Sequence, residues 1–218
     1  ARPDPTYTLH AMMLDGSDII PLSYHETHEW HPSVANDGKI VYTRWDYVDR
    51  DSDIAHHLWS CFPDGRDPRS VHGNYPESRE NRPWMEMSIR AIPNEEHQYV
   101  AVAAPHHGQA YGSLVLIDQQ FTDDRAMNQI KRITPDAHFP ESEMAPGIPH
   151  PKGNHNPKSE VYGSPWPLNK NFYLCVFDAE QENYGLTLLD SFGNRILLYQ
   201  DSSVPCLDPI PLTKRDKP

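Results

Sequence analysis

The sequence repeats a short strand–turn–strand pattern, and this repeat limits the folds that the chain can adopt. Asp and Gly mark the turn in three copies, TLHAMMLDGSDIIPLS, HLWSCFPDGRDPRSV and GLTLLDSFGNRILLYQ, at 8–23, 57–71 and 185–200. Gly accommodates a positive φ and Asp can cap its own backbone, so each copy predicts a β-hairpin. A fourth copy with a longer turn spans 112–134. The pattern therefore favours an all-β fold.

Another pair of predicted strands precedes three of these hairpins, at 31–46, 87–104 and 159–179. Each unit then has four strands and recurs about every 50 to 70 residues, which is typical of the blades of a β-propeller. A generic β-sandwich is the alternative that the strand pattern leaves open. Because no stretch shows sustained apolar spacing of helical period, a helical fold is disfavoured.

The predicted strands divide residues 1–218 into a single propeller segment. Its parts are a half blade (7–23), three blades (31–72, 85–134 and 159–201), a long loop (135–158) and a tail (202–218). About three and a half blades are fewer than the four to eight that close a ring. We therefore expect other domains of the same polypeptide, or a partner subunit, to complete the propeller.

Two levels of family resemblance agree with this fold. PSVANDGKIVYT, followed by HLWSCFPDGRDPRSV, resembles the PD40 blade repeat of TolB-like propellers. GKIVYTRWDYVDRD, AAPHHGQAYGSLVLID, IKRITPD and CLDPIPL resemble the propeller domain of hydrazine synthase alpha-subunit-like proteins. This resemblance implies a piece of a longer bacterial protein in a periplasmic or secreted setting. The synthase activity is not implied, because the chain has no haem-attachment motif.

Composition excludes several classes of function. The net charge of −12 disfavours binding of nucleic acid, which requires a basic surface. No run of eighteen apolar residues is present, so the sequence predicts no membrane-spanning helix. The three cysteines form neither CxxC nor CxxCH, which argues against a zinc ribbon or covalently attached haem.

Propeller geometry gathers the polar loops at one end of the blades. In an antiparallel four-stranded blade, the connection between the second and third strands lies at the same end as the connection into the next blade. Eleven of the 13 histidines map to this end, together with the longest loops. Long loops in compact folds are enriched in functional residues.

The stretch YHETHEWH (24–31) places three histidines three residues apart, but alternation along a strand would send His25 and His28 to opposite sides. A metal site would instead combine ligands from neighbouring loops. The candidate ligands are His28, His31, Asp46, His56, His57, His106 and His107. Imidazole with carboxylate suits zinc or another transition metal. Calcium at Asp46, Asp49, Asp51 and Asp53 is the weaker alternative, since this run lacks the Gly and Glu of an EF-hand loop.

The sequence contains no GxSxG elbow and no recognisable nucleophile–base pair, so no catalytic residue is assigned. We expect a non-catalytic binding or scaffold domain that docks a partner through its histidine-rich face. One alternative is a part of a metal- or haem-dependent oxidoreductase related to the hydrazine synthase alpha subunit. Another is a sugar- or peptide-binding propeller that would use exposed aromatic side chains; the candidates are Trp30, Tyr47, Tyr75 and Tyr111.

Overall fold

A computed structural model describes residues 5–46, 56–73, 85–106, 110–122, 129–137, 161–180, 182–214 and 218. The regular elements among these residues are all β-strands, as the sequence predicts. They are β1 (His10–Ala11), β2 (Ile20–Pro21), β3 (Glu29–Val34), β4 (Ile40–Trp45), β5 (His56–Cys61), β6 (Arg69–Ser70), β7 (Met85–Ala91), β8 (Gln98–Ala104), β9 (Ser113–Asp118), β10 (Ile130–Arg132), β11 (Val161–Asn169), β12 (Phe172–Asp178), β13 (Gly185–Asp190) and β14 (Arg195–Tyr199).

The strands pair with their sequence neighbours in antiparallel runs. A two-stranded hairpin, β1–β2, precedes three four-stranded units, β3–β6, β7–β10 and β11–β14. The first two units are joined by a parallel bridge between His56 and Met85, which makes them one eight-stranded sheet. The sequence pattern does not predict this bridge, because it depends on how two neighbouring units approach each other.

The turns have the backbone geometry that the Asp-Gly signals predict. Gly16, Gly65 and Gly193 have φ of 85°, 81° and 89°, a region in which other residues are strained. In the second of these turns, the Asp64 carboxylate accepts a hydrogen bond from the backbone N–H of Arg66, at 3.1 Å. Local sequence is therefore sufficient to define these hairpins.

The first strand of each four-stranded unit carries a bulge at the same place. The bulge residues His31, Ser88 and Ser164 have φ of 49°, 54° and 45°, and each strand shifts its register there. The expectation that the first of these strands opens at His31 is wrong. It begins at Glu29, because Glu29 already pairs with Arg44 of β4.

The units pack face to face, and the buried apolar residues lie between them. Leu9 of the hairpin packs with Tyr42 at the first junction. Leu58 and Ile89 belong to the cluster at the second junction, between β3–β6 and β7–β10. Tyr173 packs with residues of β7 and β8 at the third junction. Face-to-face packing of four-stranded sheets is the arrangement of a propeller.

Large apolar side chains are exposed at both ends of this row of units, and we call these two surfaces the end faces. The N-terminal end face comprises Met12, Met13, Leu14, Ile19 and Ile20. The C-terminal end face comprises Ile196 and Tyr199, which pair with residues on one face of β13. No helix among the described residues is long and apolar enough to cross a membrane.

Candidate functional site

The histidine-rich end of the sheet is built where β3 and β5 begin and β4 ends. Antiparallel pairing brings these three positions together, and the backbone N–H of Trp45 donates to the carbonyl of His28, at 3.0 Å. The end of β8 lies beside them, and His106 follows its last residue, Ala104, by two positions. Propeller geometry predicts this meeting of His28, His56 and His106 from separate segments.

Five rings form one cluster at this end, which we call the aromatic stack: His28, Trp30, Trp45, His56 and His106. The His28 ring lies 5.0 Å from Trp30 and 5.9 Å from Trp45, with interplanar angles of 23° and 13°. His56 stacks on Trp45 at 4.9 Å, and His106 packs 4.9 Å from His56. Such ring contacts add specific packing energy to the buried area.

His56 is the buried centre of the aromatic stack, with no exposed surface. Burial lowers its pKa well below the usual value, and the neighbouring His106, His57 and His28 lower it further. Both ring nitrogens lack a hydrogen-bond partner among the described residues. The imidazole is therefore neutral at pH 7, the form in which histidine ligates a metal.

Within the described part of the chain, no group of three or more His, Cys, Asp or Glu side chains is arranged to hold a metal ion. Asp46 instead accepts from Arg44 Nε at 3.0 Å, and lies 3.6 Å from His25 Nε2. His31 lies at the β3 bulge, where its Nδ1 accepts from the Ser88 N–H at 3.2 Å. The predicted metal site therefore stays a prediction.

Some predicted site residues lie outside the described residues: Tyr47, Asp49, Asp51, Asp53, Tyr75 and His107. Trp30 is half-buried in the aromatic stack rather than freely exposed. Tyr111 is half-buried and packs edge-on against Tyr184, with ring centroids 5.0 Å apart. Neither ring is presented as an open platform for a sugar.

His57 points away from the aromatic stack, because adjacent residues of a strand face opposite sides of the sheet. It joins His72 and Glu86 in a buried group that we call the carboxylate–imidazole triad. Oε1 of Glu86 lies 2.9 Å from Nε2 of His72 and 3.6 Å from Nδ1 of His57. On the far side of His72, Nδ1 hydrogen-bonds to the side-chain oxygen of Gln129.

Electrostatics in the triad favour an ionised carboxylate. Burial raises the pKa of Glu86, but His72 and His57 lower it by more, so that the pKa lies well below the usual range of a glutamate. The Glu86 side chain has no exposed surface. Because Glu86 lies on β7 and both imidazoles lie in the preceding unit, the triad ties two units together.

Sequence reasoning missed Glu86 as a partner for the histidines. Its signal is positional: Glu29 and Glu86 each lie two residues before a bulge residue, His31 and Ser88. Alignment of the first strands of the units would have paired the two glutamates. Each glutamate begins or nearly begins a first strand and faces the end of the unit before it.

Comparison with known proteins adds evidence on the fold. No protein-family model matches the chain, and no curated protein matches it. Hydrazine synthase from Kuenenia stuttgartiensis matches at a TM-score of 0.62 and 16% identity, over 84% of this chain and 21% of that one. TolB from Acinetobacter baumannii matches at a TM-score of 0.37 and 14% identity, over 89% of this chain and 49% of that one.

The hydrazine synthase likeness shows the fold alone, and supports a β-propeller-like fold for this chain. The TM-score of the TolB match is too low to support a conclusion. This chain corresponds to 21% of the hydrazine synthase chain that it matches. The number of blades and the PD40 assignment stay predictions.

Proposed function

We propose that this chain is a segment of a β-propeller that serves as a non-catalytic binding or scaffold domain in a larger extracytoplasmic bacterial protein. The observation that carries the proposal is the exposure of large apolar side chains on both end faces. Contiguous exposed apolar surface marks places where another protein surface binds. Further blades, from the same polypeptide or from a partner subunit, would cover both end faces and complete the ring.

The outer face of the last sheet, at the C-terminal end, supports this assignment. At the C-terminal end, Ile196 of β14 pairs across the sheet with Leu188 of β13, and Leu188 pairs with Leu174 of β12. Residues directly opposite one another share a face of the sheet. Ile196 is 65% exposed. This apolar row is therefore available to pack against a neighbouring blade, as apolar residues do at the internal junctions.

The aromatic stack provides the second part of the proposal, a docking face for the partner domain or subunit. His28, Trp30 and Trp45 are only half-buried, and they surround the fully buried His56. Rigid aromatic side chains on a fixed scaffold are characteristic of binding hot spots. Docking here would place the partner over the end of the sheet where the long connections gather.

Sedimentation velocity of the purified 218-residue chain tests the end faces. We expect concentration-dependent self-association, because apolar end faces left uncovered can pair with each other. Ile20→Lys combined with Ile196→Lys should reduce association about tenfold or more, since each lysine places a charge in an apolar contact.

Val34→Lys is the matched control, because Val34 is 58% exposed but belongs to β3, in the middle of the row of units. It should leave association unchanged. A chain that stays monomeric at every concentration, or that responds equally to all these substitutions, would contradict the role of the end faces.

Metal analysis separates the scaffold from the oxidoreductase alternative. The observation that favours the alternative is the pair of buried, neutral ring nitrogens of His56. Stoichiometric zinc, copper or iron that is lost in His56→Ala would support a redox or metal-dependent role. For the scaffold, we expect metal below one-tenth of an equivalent, or the same metal content in the parent and in His56→Ala.

A further inference from the structure

A cavity of about 310 Å³ lies at the first junction, between the β1–β2 hairpin and the β3–β6 unit. Its lining side chains with polar groups are those of Ser23, Tyr24, His25, Glu29, Tyr42, Arg44 and Cys61. This cavity is separate from the aromatic stack, and none of the functions proposed above uses it. Its volume is that of a small organic molecule rather than of a single water.

Glu29 lines this cavity, and one of its two carboxylate oxygens has no hydrogen-bond partner among the described residues. Glu29 is only 4% exposed. Its Oε2 accepts a hydrogen bond from the Ser23 hydroxyl and another from the Leu9 N–H, at 3.4 Å. Its Oε1 has no hydrogen-bond partner among the described residues. A buried carboxylate oxygen left in this state is energetically unfavourable, so the site favours a ligand that donates a hydrogen bond.

The second junction shows which group fills the equivalent place. The backbone bond from Leu22 N–H to Leu9 O, at 2.8 Å, recurs as Val71 N–H to Leu58 O, at 3.0 Å. Because Leu22 and Val71 are therefore equivalent, the residues that follow them, Ser23 and His72, occupy equivalent positions.

The glutamates at the two junctions are equivalent too, since each lies two residues before a bulge residue. At the second junction, an imidazole nitrogen of His72 lies 2.9 Å from Oε1 of Glu86. At the first junction, the shorter Ser23 binds only Oε2 of Glu29. Where the second junction has an imidazole, the first has a hydroxymethyl group, and Oε1 of Glu29 is left without a donor among the described residues. Ser23 and Glu29 both line the cavity.

The other charged groups at this cavity are already compensated. Arg44 donates from Nε to Asp46, at 3.0 Å, and its guanidinium carbon lies 4.0 Å from the centre of the Trp59 ring. Nε2 of His25 is engaged at 2.8 Å with the carbonyl of Trp45. Glu29 is therefore the group that selects the charge of a ligand, and it selects a cation.

We propose that this cavity binds a small organic cation with N–H donors, of the imidazolium or primary alkylammonium class, with Glu29 as its counter-ion. The ligand would take the place that the His72 ring holds at the second junction. Its N–H group would donate to the Glu29 carboxylate, and its carbon atoms would contact the wall formed by Leu22 and Tyr42. This proposal does not depend on partner docking or on the completion of the ring.

Isothermal titration of the purified chain with methylammonium chloride and with imidazolium chloride tests the site. We expect saturable one-to-one binding of both cations at constant ionic strength. Tetramethylammonium chloride carries the same charge but no N–H donor, so it should not bind saturably. Glu29→Gln should weaken binding about tenfold or more, because it removes the charge and replaces one acceptor oxygen by a donor.

Glu26→Gln is the matched control, since Glu26 is an exposed carboxylate three residues away. Ser23→His provides a test that does not depend on loss of a buried charge. Its imidazole should fill the cavity, pair with Glu29, abolish cation binding and raise the thermal unfolding midpoint. The proposal is overturned if neither cation binds, or if binding persists undiminished in both Glu29→Gln and Ser23→His.

Discussion

Glu86→Gln is expected to lower the free energy of unfolding of the chain by about 3 to 5 kcal/mol at pH 7, the range observed when one partner of a buried ion pair is removed. The variant keeps the shape of the side chain but leaves two buried imidazoles without their carboxylate. His72 and His57 belong to one unit and Glu86 to the next. The two units should therefore also unfold less cooperatively in the variant. Urea unfolding followed by tryptophan fluorescence measures the change.

The lowered pKa of Glu86 determines how its contribution to stability changes with pH. The folded-state pKa of Glu86 lies below its unfolded value of about 4.3. Its contribution to stability is therefore fully present above about pH 4.3, and is lost as the pH falls from there toward the folded-state pKa. The stability difference between the parent and Glu86→Gln should shrink over that range.

An exposed carboxylate supplies the control for Glu86. The side chain of Glu96 is 88% exposed, so Glu96→Gln should change the free energy of unfolding by less than about 0.5 kcal/mol. If Glu86→Gln and Glu96→Gln unfold at the same urea concentration, the triad does not hold the units together.

The hairpins could be predicted from the sequence because their determinants are local. Asp64 and Gly65 define one turn through a side-chain hydrogen bond and a positive φ, and neither depends on distant residues. The apolar residues of β8 and β9 form continuous buried runs and are likewise contiguous in the chain. The bridge between His56 and Met85 was not predictable in this way, since it depends on how two units meet.

The candidate site was only partly predictable, and the reason lies in strand alternation. His56 and His57 were grouped as ligands of one site because they are neighbours at the end of a loop. In β5 they face opposite sides, so His56 enters the aromatic stack and His57 enters the triad. Alternation could have separated the two histidines from the sequence alone. The pairing of His57 with Glu86 required the packing of two sheets.

The Asp-Gly turns do more than reverse the chain, and Gly65 shows this most clearly. A Cβ atom on Gly65 would lie 2.1 Å from the carbonyl oxygen of Leu22, at the end of the β1–β2 hairpin. That distance is far inside van der Waals contact, and the obstacle is backbone rather than a flexible side chain. The turn between β5 and β6 thus packs directly against the backbone of the β1–β2 hairpin.

Gly65→Ala is therefore expected to destabilise the chain by about 3 kcal/mol or more, within the range that backbone strain and overpacking produce together. Gly16→Ala separates the two causes. Gly16 has nearly the same φ, 85° against 81°, but a Cβ there would meet nothing within 4 Å. Gly16→Ala should therefore lower the free energy of unfolding by only about 1 to 2 kcal/mol, the cost of a Cβ atom in the left-handed region.

The difference between the free energies of unfolding of the two alanine variants, measured in urea, reports how closely the β5–β6 turn packs against the β1–β2 hairpin. A loss in Gly65→Ala that is larger by about 1 kcal/mol or more indicates that unit-to-unit contact, and not turn geometry alone, requires glycine. Equal losses would mean that the hairpin moves away freely. The first junction would then be too loose to hold a cavity of fixed shape, and cation binding at Glu29 would have to be absent as well.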